Sequence, residues 1–232
     1  AYFGDTHIHT TYSVDAYTQG TDTTPDQAYQ FAKGTQIGLH PFDEFGDPTR
    51  FAQIERALDF AIVTDNAEFF GEQRICTNDA MHPLYNSPEC VILRERAGNA
   101  LLQWNVLLGS LPQNIYRFDF CGPNGGICTA TPMETWQEMQ TAASDHYDPC
   151  TCTTFNGYEW TGAPTRFNEF NQLETLNLHR NVVFLNSLVP DTPSTYRDRG
   201  YAELLWDDRE DDCLDAAFPG GECDAITIPH NS

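Results

Sequence analysis

Leu58-Asp-Phe-Ala-Ile-Val-Thr64 is a nearly unbroken apolar run, closed by the polar stretch Asp65-Asn66-Ala67-Glu68. A strand with one wet face alternates polar and apolar residues, whereas a strand covered on both faces does not. The run therefore predicts a buried strand of a parallel sheet. Strands so paired need long crossovers, usually helices.

Outward from this strand the chain alternates between the two periods. A first strand is predicted over residues 2–9. A helix follows over 25–33, with Thr23 or Thr24 as its cap and Pro25 in the first turn. Residues 34–56 read as a loop rich in Gly, Pro and Asp. From Val91 to Leu111 apolar residues recur at helical spacing. A Gly-rich loop spans 121–128, and a helix is predicted over 132–147 with Thr131 as cap and Glu134 at the capping-box offset. Strands are expected over 153–160, 177–184 and 224–229, with a helix over 201–214 before the last. This order predicts an α/β fold with a mainly parallel sheet or barrel. The reading is one domain, 1–232, with disulfide-stapled loop insertions around 70–150.

Acidic residues outnumber basic ones by 34 to 12, a net charge of −22, with a pI near 4.3. Such a chain repels nucleic acid and anionic membrane surfaces, so neither is expected as a partner. No run of eighteen apolar residues occurs, which excludes a membrane-spanning helix from the reading. The sequence starts at Ala1, almost on its first motif, and the start is expected to be processed.

The eight cysteines form close groups at 76/90, 121/128, 150/152 and 213/223. Disulfides and an exported, periplasmic or extracellular location are the expectation. A zinc cluster of Cys121, Cys128, Cys150 and Cys152 is the rival, disfavoured because C-x2-C spacing is missing. Cys76–Cys90 and Cys213–Cys223 are expected as local staples. Cys121 and Cys128 are expected to pair with Cys150 and Cys152, because a bridge within Cys-Thr-Cys has poor geometry.

Five polar clusters fall at the ends of predicted strands, where α/β folds collect ligands. The first is Asp5-Thr-His-Ile-His9, with Asp15 six residues on. In a strand, side chains at i and i+2 share a face, so His7 and His9 would converge. The second holds Asp65, Asn66 and Glu68. In the third, Gly157-Tyr-Glu-Trp-Thr161, Glu159 sits in an apolar strand where an unpaired carboxylate is costly and a metal ion is its simplest partner. His179 with Arg180, and His230 with Asn231, complete the set. His40, His82 and His146 read as ordinary surface residues.

The order H-x-H, Asp15, Thr64-Asp65, a strand Glu, a strand His and Pro229-His230 resembles the polymerase-and-histidinol-phosphatase (PHP) superfamily. More narrowly, Tyr2-Phe-Gly-Asp-Thr-His-Ile-His-Thr10, Tyr12-Ser-Val-Asp-Ala16, Leu58–Glu68, Gly157–Thr161, His179-Arg-Asn-Val182 and Pro229–Ser232 are similar to the DUF3604 branch. The resemblance implies a distorted (β/α)7 TIM-like barrel and two or three divalent ions, Mn, Zn or Fe. Its implied activity is hydrolysis of a small anionic ester: a phosphate, sulfate or phosphonate.

By position, His7, His9 and Glu159 would hold one ion. Glu159 would bridge to a second, held by His179 and His230. Asp15 and Asn66 would belong to a third, with Asn66 standing where the branch commonly has His. Arg180 would clamp the anionic group. Asp65 is the other candidate catalytic residue, while Asp5, Asp65, Glu68 and Asn231 would orient the ligands. The family's late D-x-H motif does not follow, so a missing C-terminal segment or separate chain is expected to complete the site. The alternative is a non-catalytic exported metal-binding or surface protein with a degenerate site.

Overall fold

The structure is a computed structural model that describes residues 1–78, 80–105, 117–163, 165–175, 177–196 and 224–230. In chain order it begins with strand β1 (Gly4–Ile8), a short helix α1 (Val14–Thr18), helix α2 (Pro25–Ala32) and strands β2 (Ile37–Phe42), β3 (Pro48–Ala52) and β4 (Phe60–Val63). Helices α3 (Phe70–Thr77), α4 (Pro88–Arg94), α5 (Ala100–Asn105), α6 (Gly126–Ala130) and α7 (Pro132–His146) follow. After α7 the regular elements among the described residues are strands: β5 (Thr153–Thr154), β6 (Asn156–Gly162), β7 (Thr165–Phe167), β8 (Leu173–Thr175), β9 (Leu178–Phe184) and β10 (Ala225–His230).

The apolar run at 58–64 forms β4, whose Ala61, Ile62 and Val63 are buried. It is the centre of a parallel sheet of order β1-β4-β5. Helix α2 covers it. Thr24 and Gln27 form a reciprocal capping box and Pro25 opens the helix, so its start is specified locally. The helix buries Ala28, Tyr29 and Ala32, and the Tyr29 hydroxyl accepts a hydrogen bond from the Val63 N–H at 3.2 Å. Helix α7 packs beside α2 and buries Trp136, whose Nε1 donates to the Pro190 carbonyl at 2.8 Å.

The expected (β/α)7 barrel is overturned. Among the described residues there is no closed barrel but separate small sheets in a mixed α/β arrangement. Strands β6, β9 and β10 form an antiparallel sheet of order β10-β9-β6. The reason is connectivity: β6 leads to β9 through the small antiparallel pair β7–β8, with no helix to carry the chain back to the start of a parallel strand. The expected strand at 153–160 breaks at Phe155, so β5 joins the parallel sheet and β6 the antiparallel one. The two sheets meet where the Glu159 N–H donates to the Asp65 carbonyl at 3.0 Å. Gly157 allows β6 to run close over β4, since a Cβ there would lie 2.9 Å from Ile62 Cγ2 and 3.0 Å from the Val182 carbonyl oxygen.

Other expectations also change. The segment 34–56 is a hairpin, β2–β3, rather than a loop. The helical pattern from Val91 is split into α4 and α5, with 106–111 outside the described residues. Thr131 precedes α7 without capping it, because its hydroxyl donates to the Ile127 carbonyl while Glu134 pairs with Arg74. The helix expected over 201–214, Asn231 and the pair Cys213/Cys223 lie outside the described residues.

Cys76–Cys90 is a disulfide, as expected, but Cys121 and Cys128 bond to each other. Cys150 and Cys152 are free thiols, so neither the expected cross-pairing nor the four-cysteine zinc alternative holds. The short helix α6 follows directly on the turn at Gly125 and returns Cys128 to Cys121. Both bridges lie in a second apolar cluster with Val14, Phe69, Ile75, Leu93 and Trp104. Two disulfides are compatible with an exported protein. No described helix is long and apolar enough to cross a membrane.

Candidate metal centre

Glu159 lies near the middle of β6 with 1% of its surface exposed, and four imidazoles surround its carboxylate. Oε1 contacts His179 Nδ1 and accepts a hydrogen bond from Thr161 Oγ1 at 2.6 Å. His9 Nε2 lies 2.7 Å from Oε2, while His7 Nδ1 and His230 Nε2 lie 3.9 and 4.0 Å from it. The rings pack on one another, with centroids 4.1 Å apart for His7 and His230 and 4.5 Å for His7 and His9.

Strand geometry explains the convergence. Glu159 and Thr161 share one face of β6, and their register partners on β9 are Asn181 and His179. His230 at the end of β10 is paired with His179. His179 stands at the start of its strand, not the end, and antiparallel pairing brings it to the common edge. His7 and His9 enter from the end of β1 in the other sheet.

A hydrogen-bonded network holds these groups. His9 Nδ1 lies 3.1 Å from both Asp15 oxygens. The Ser13 hydroxyl reaches Asp15 Oδ1 and Asn66 Oδ1, each at 2.6 Å. Asn66 Nδ2 donates to Thr161 Oγ1 at 2.7 Å, so Asn66 links the Asp15 side of the site to Glu159. His7 Nδ1 lies 3.1 Å from Asn181 Oδ1, and Asn181 Nδ2 donates to the Thr6 carbonyl at 2.7 Å. His179 Nε2 contacts Asn177 Oδ1 at 2.9 Å.

The electrostatics follow from this packing. Burial raises the Glu159 carboxyl, but its contacts with His179, His9 and Thr161 outweigh that and hold it well below the usual range. Burial also lowers His9, yet its bonds to Asp15 and Glu159 prevail and lift it to about 10. Asp15 is pushed up by burial and more strongly down by His9, Ser13 and the Ala16 N–H. His230 is lowered by burial and by the neighbouring His7.

A divalent cation fits this donor set. His9 Nε2 and His230 Nε2 are both buried and face the Glu159 carboxylate, and His230 Nε2, 4.0 Å away, has no hydrogen-bond partner. Donor atoms of His7, Glu159 and His230 all lie within 4.8 Å of one another. Mixed imidazole and carboxylate donors suit Zn, Mn or Fe. A second group, Glu72 with Cys121 and Cys128, offers no such site because its sulfurs are joined in a disulfide.

Of the residues singled out in the sequence, His7, His9, Asp15, Asn66, Glu68, Glu159, His179 and His230 line one cavity of about 330 Å³. Glu68 accepts a hydrogen bond from the Thr161 N–H at 2.7 Å. Asp65 is fully buried behind the cavity, where it accepts hydrogen bonds from the Thr10 N–H and hydroxyl and anchors the chain after His9. Burial pushes its carboxyl up to about 6. Asp5 accepts from the His7 backbone N–H and touches no imidazole. Arg180 alternates to the face of β9 away from Glu159, opposite Trp160 in the register, and does not line the cavity. Ser13, Thr161, Asn177 and Asn181 were not anticipated. Two of them carried a readable signal, since Thr161 and Asn181 lie two residues beyond Glu159 and His179.

A family model described as "Protein of unknown function (DUF3604)" matches residues 1–232. No curated protein and no solved structure matches the chain. The family match spans every strand that contributes to the histidine and carboxylate cluster, and the chain belongs to the DUF3604 family.

Proposed function

We propose that this chain is a metal-dependent hydrolase of phosphate esters or of the related sulfate or phosphonate esters, allied to the PHP superfamily. The observation that carries the reading is the buried Glu159 carboxylate with His7, His9, His179 and His230 around it. These five residues would hold two divalent ions, with Glu159 shared between them. Divalent ions in such a site supply Lewis acidity toward the ester oxygen and acidify a water molecule.

The rest of the network acts on the ligands. Asp15 accepts a hydrogen bond from His9 Nδ1–H and so directs Nε2 toward Glu159. Thr161, itself held by Asn66, donates to Glu159 Oε1 and limits its rotation. Asp65 keeps the backbone after His9 in place through Thr10. Both amide ends of Asn66 have partners in Ser13 and Thr161, an argument for a positioning role over direct coordination. Arg180 lies on the far face of β9, so no clamping role is given to it. The two disulfides favour a periplasmic or extracellular setting.

The test is elemental analysis of the purified protein, followed by assays of p-nitrophenyl phosphate, bis(p-nitrophenyl) phosphate and p-nitrophenyl sulfate with added Mn or Zn. Stoichiometric metal with turnover of one of these supports the reading. Tight metal binding with no turnover of any ester rejects hydrolysis in favour of a metal-binding protein.

A further inference from the structure

The cavity beside Glu159 has two unlike walls. One is the histidine and carboxylate cluster. The other is apolar: Val14 from α1, Phe69 from the turn after β4, Leu101 from α5 and Ala163 just beyond β6. Val14 and Phe69 are nearly fully buried members of the disulfide-bearing cluster, and Leu101 and Ala163 pack against it. That segment therefore does more than enlarge the fold, since it gives the cavity an apolar surface backed by two disulfides.

Among the described residues, the lining contains no lysine or arginine. Its other polar groups beyond the cluster include the neutral amides of Gln19, Asn105 and Asn177. Two divalent ions would bring four positive charges. Asp15, Glu68 and Glu159 offset up to three of them, which leaves a site suited to little more than one negative charge. At about 330 Å³ the cavity is at the small end of ligand pockets. The surrounding protein, at −22, disfavours polyanions further.

We propose that this cavity selects singly charged esters bearing one compact apolar group, such as an aryl group, over polyanionic esters and over esters without such a group. The apolar group would lie against Val14, Phe69 and Leu101 while the charged head faces the metal ligands. The proposal rests on the metal-hydrolase reading above and specifies its substrate class.

The test uses the Mn²⁺-loaded protein and calorimetric binding of methyl phenyl phosphate, dimethyl phosphate and pyrophosphate. The first two carry the same charge and differ only in having phenyl in place of one methyl group. The expected order is methyl phenyl phosphate tightest, by about tenfold or more over dimethyl phosphate, the scale of gain expected for burying a ring. Leu101→Asn and Ala163→Asn should each shrink that gap. The wild-type comparison decides the matter even if a variant fails to fold. Equal binding of the two diesters, or pyrophosphate binding tightest, overturns the proposal and leaves hydrolysis standing. The expected order without turnover of any ester overturns hydrolysis alone. Failure to bind Mn²⁺, Zn²⁺ or Fe²⁺ overturns both.

Discussion

His9 and Glu159 come from different sheets, yet Nε2 of one lies 2.7 Å from Oε2 of the other. The parallel sheet delivers the imidazole and the antiparallel sheet the carboxylate, and the joint between the sheets is a backbone hydrogen bond from Glu159 to Asp65. The cluster is thus a seam between two sheets, and metal at this point would fasten them together.

Glu159→Gln tests the centre of that seam. The substitution keeps the shape and removes the charge shared by four imidazoles, so metal and any esterase activity should both be lost. His82→Ala, at a residue that does not line the cavity, should change neither. Retention of full metal occupancy by Glu159→Gln in elemental analysis would show that Glu159 does not bridge.

Asp15→Ala removes the acceptor that fixes the His9 ring while leaving the ligand set intact. Metal affinity should fall by about 10- to 100-fold, the usual effect of losing a ligand-orienting carboxylate. Titration with a competing chelator measures it. An unchanged affinity would mean that His9 is oriented by packing alone.

The metal-free protein should show a two-sided pH dependence. His9 is raised from 6.5 to about 10, so its contribution to stability is complete below pH 6.5 and is lost as pH rises from there to about 10. Glu159 is lowered, so its contribution is present above the ordinary glutamate range and is lost as pH falls below it. Thermal denaturation after chelation should therefore give a melting temperature that declines above pH 6.5. Metal binding must displace the His9 proton, so apparent affinity should rise over the same window, by up to about tenfold per pH unit. A flat melting temperature from pH 6.5 to 10 contradicts the assignment.

Tyr29→Phe separates fold from site. It removes the hydroxyl that accepts from the Val63 N–H inside the core and leaves that donor without its partner. The expected cost is about 1–3 kcal/mol by chemical denaturation, with metal content unchanged. A loss of metal at full stability would reveal a coupling between α2 and the cluster beyond the one described.

Much of the local structure could be read from the residues. The apolar run at 58–64 became β4, and Thr24-Pro25 with Gln27 opened α2 through contacts made within four residues. The site was legible to a comparable degree, because period two put His7 near His9 and because a carboxylate buried in an apolar strand requires a partner. Ser13, Asn177 and Asn181 escaped notice since a lone serine or asparagine has many ordinary uses. Arg180 is placed on the face of β9 away from Glu159 because neighbours in sequence alternate across a strand.

What the sequence by itself determined is chemical and short-range: which donors exist, which strand is covered on both faces, and where α2 begins. Tertiary structure alone decided which strands pair and in which direction, that the sheets of the described residues do not close into a barrel, and that Cys121 bonds to Cys128 rather than to the cysteines at 150 and 152. Propensity and periodicity act over a few residues. Strand direction and disulfide partner depend on how distant segments pack, and a pattern such as Gly157–Thr161 is compatible with more than one partner until Ile62 and Val182 close around it.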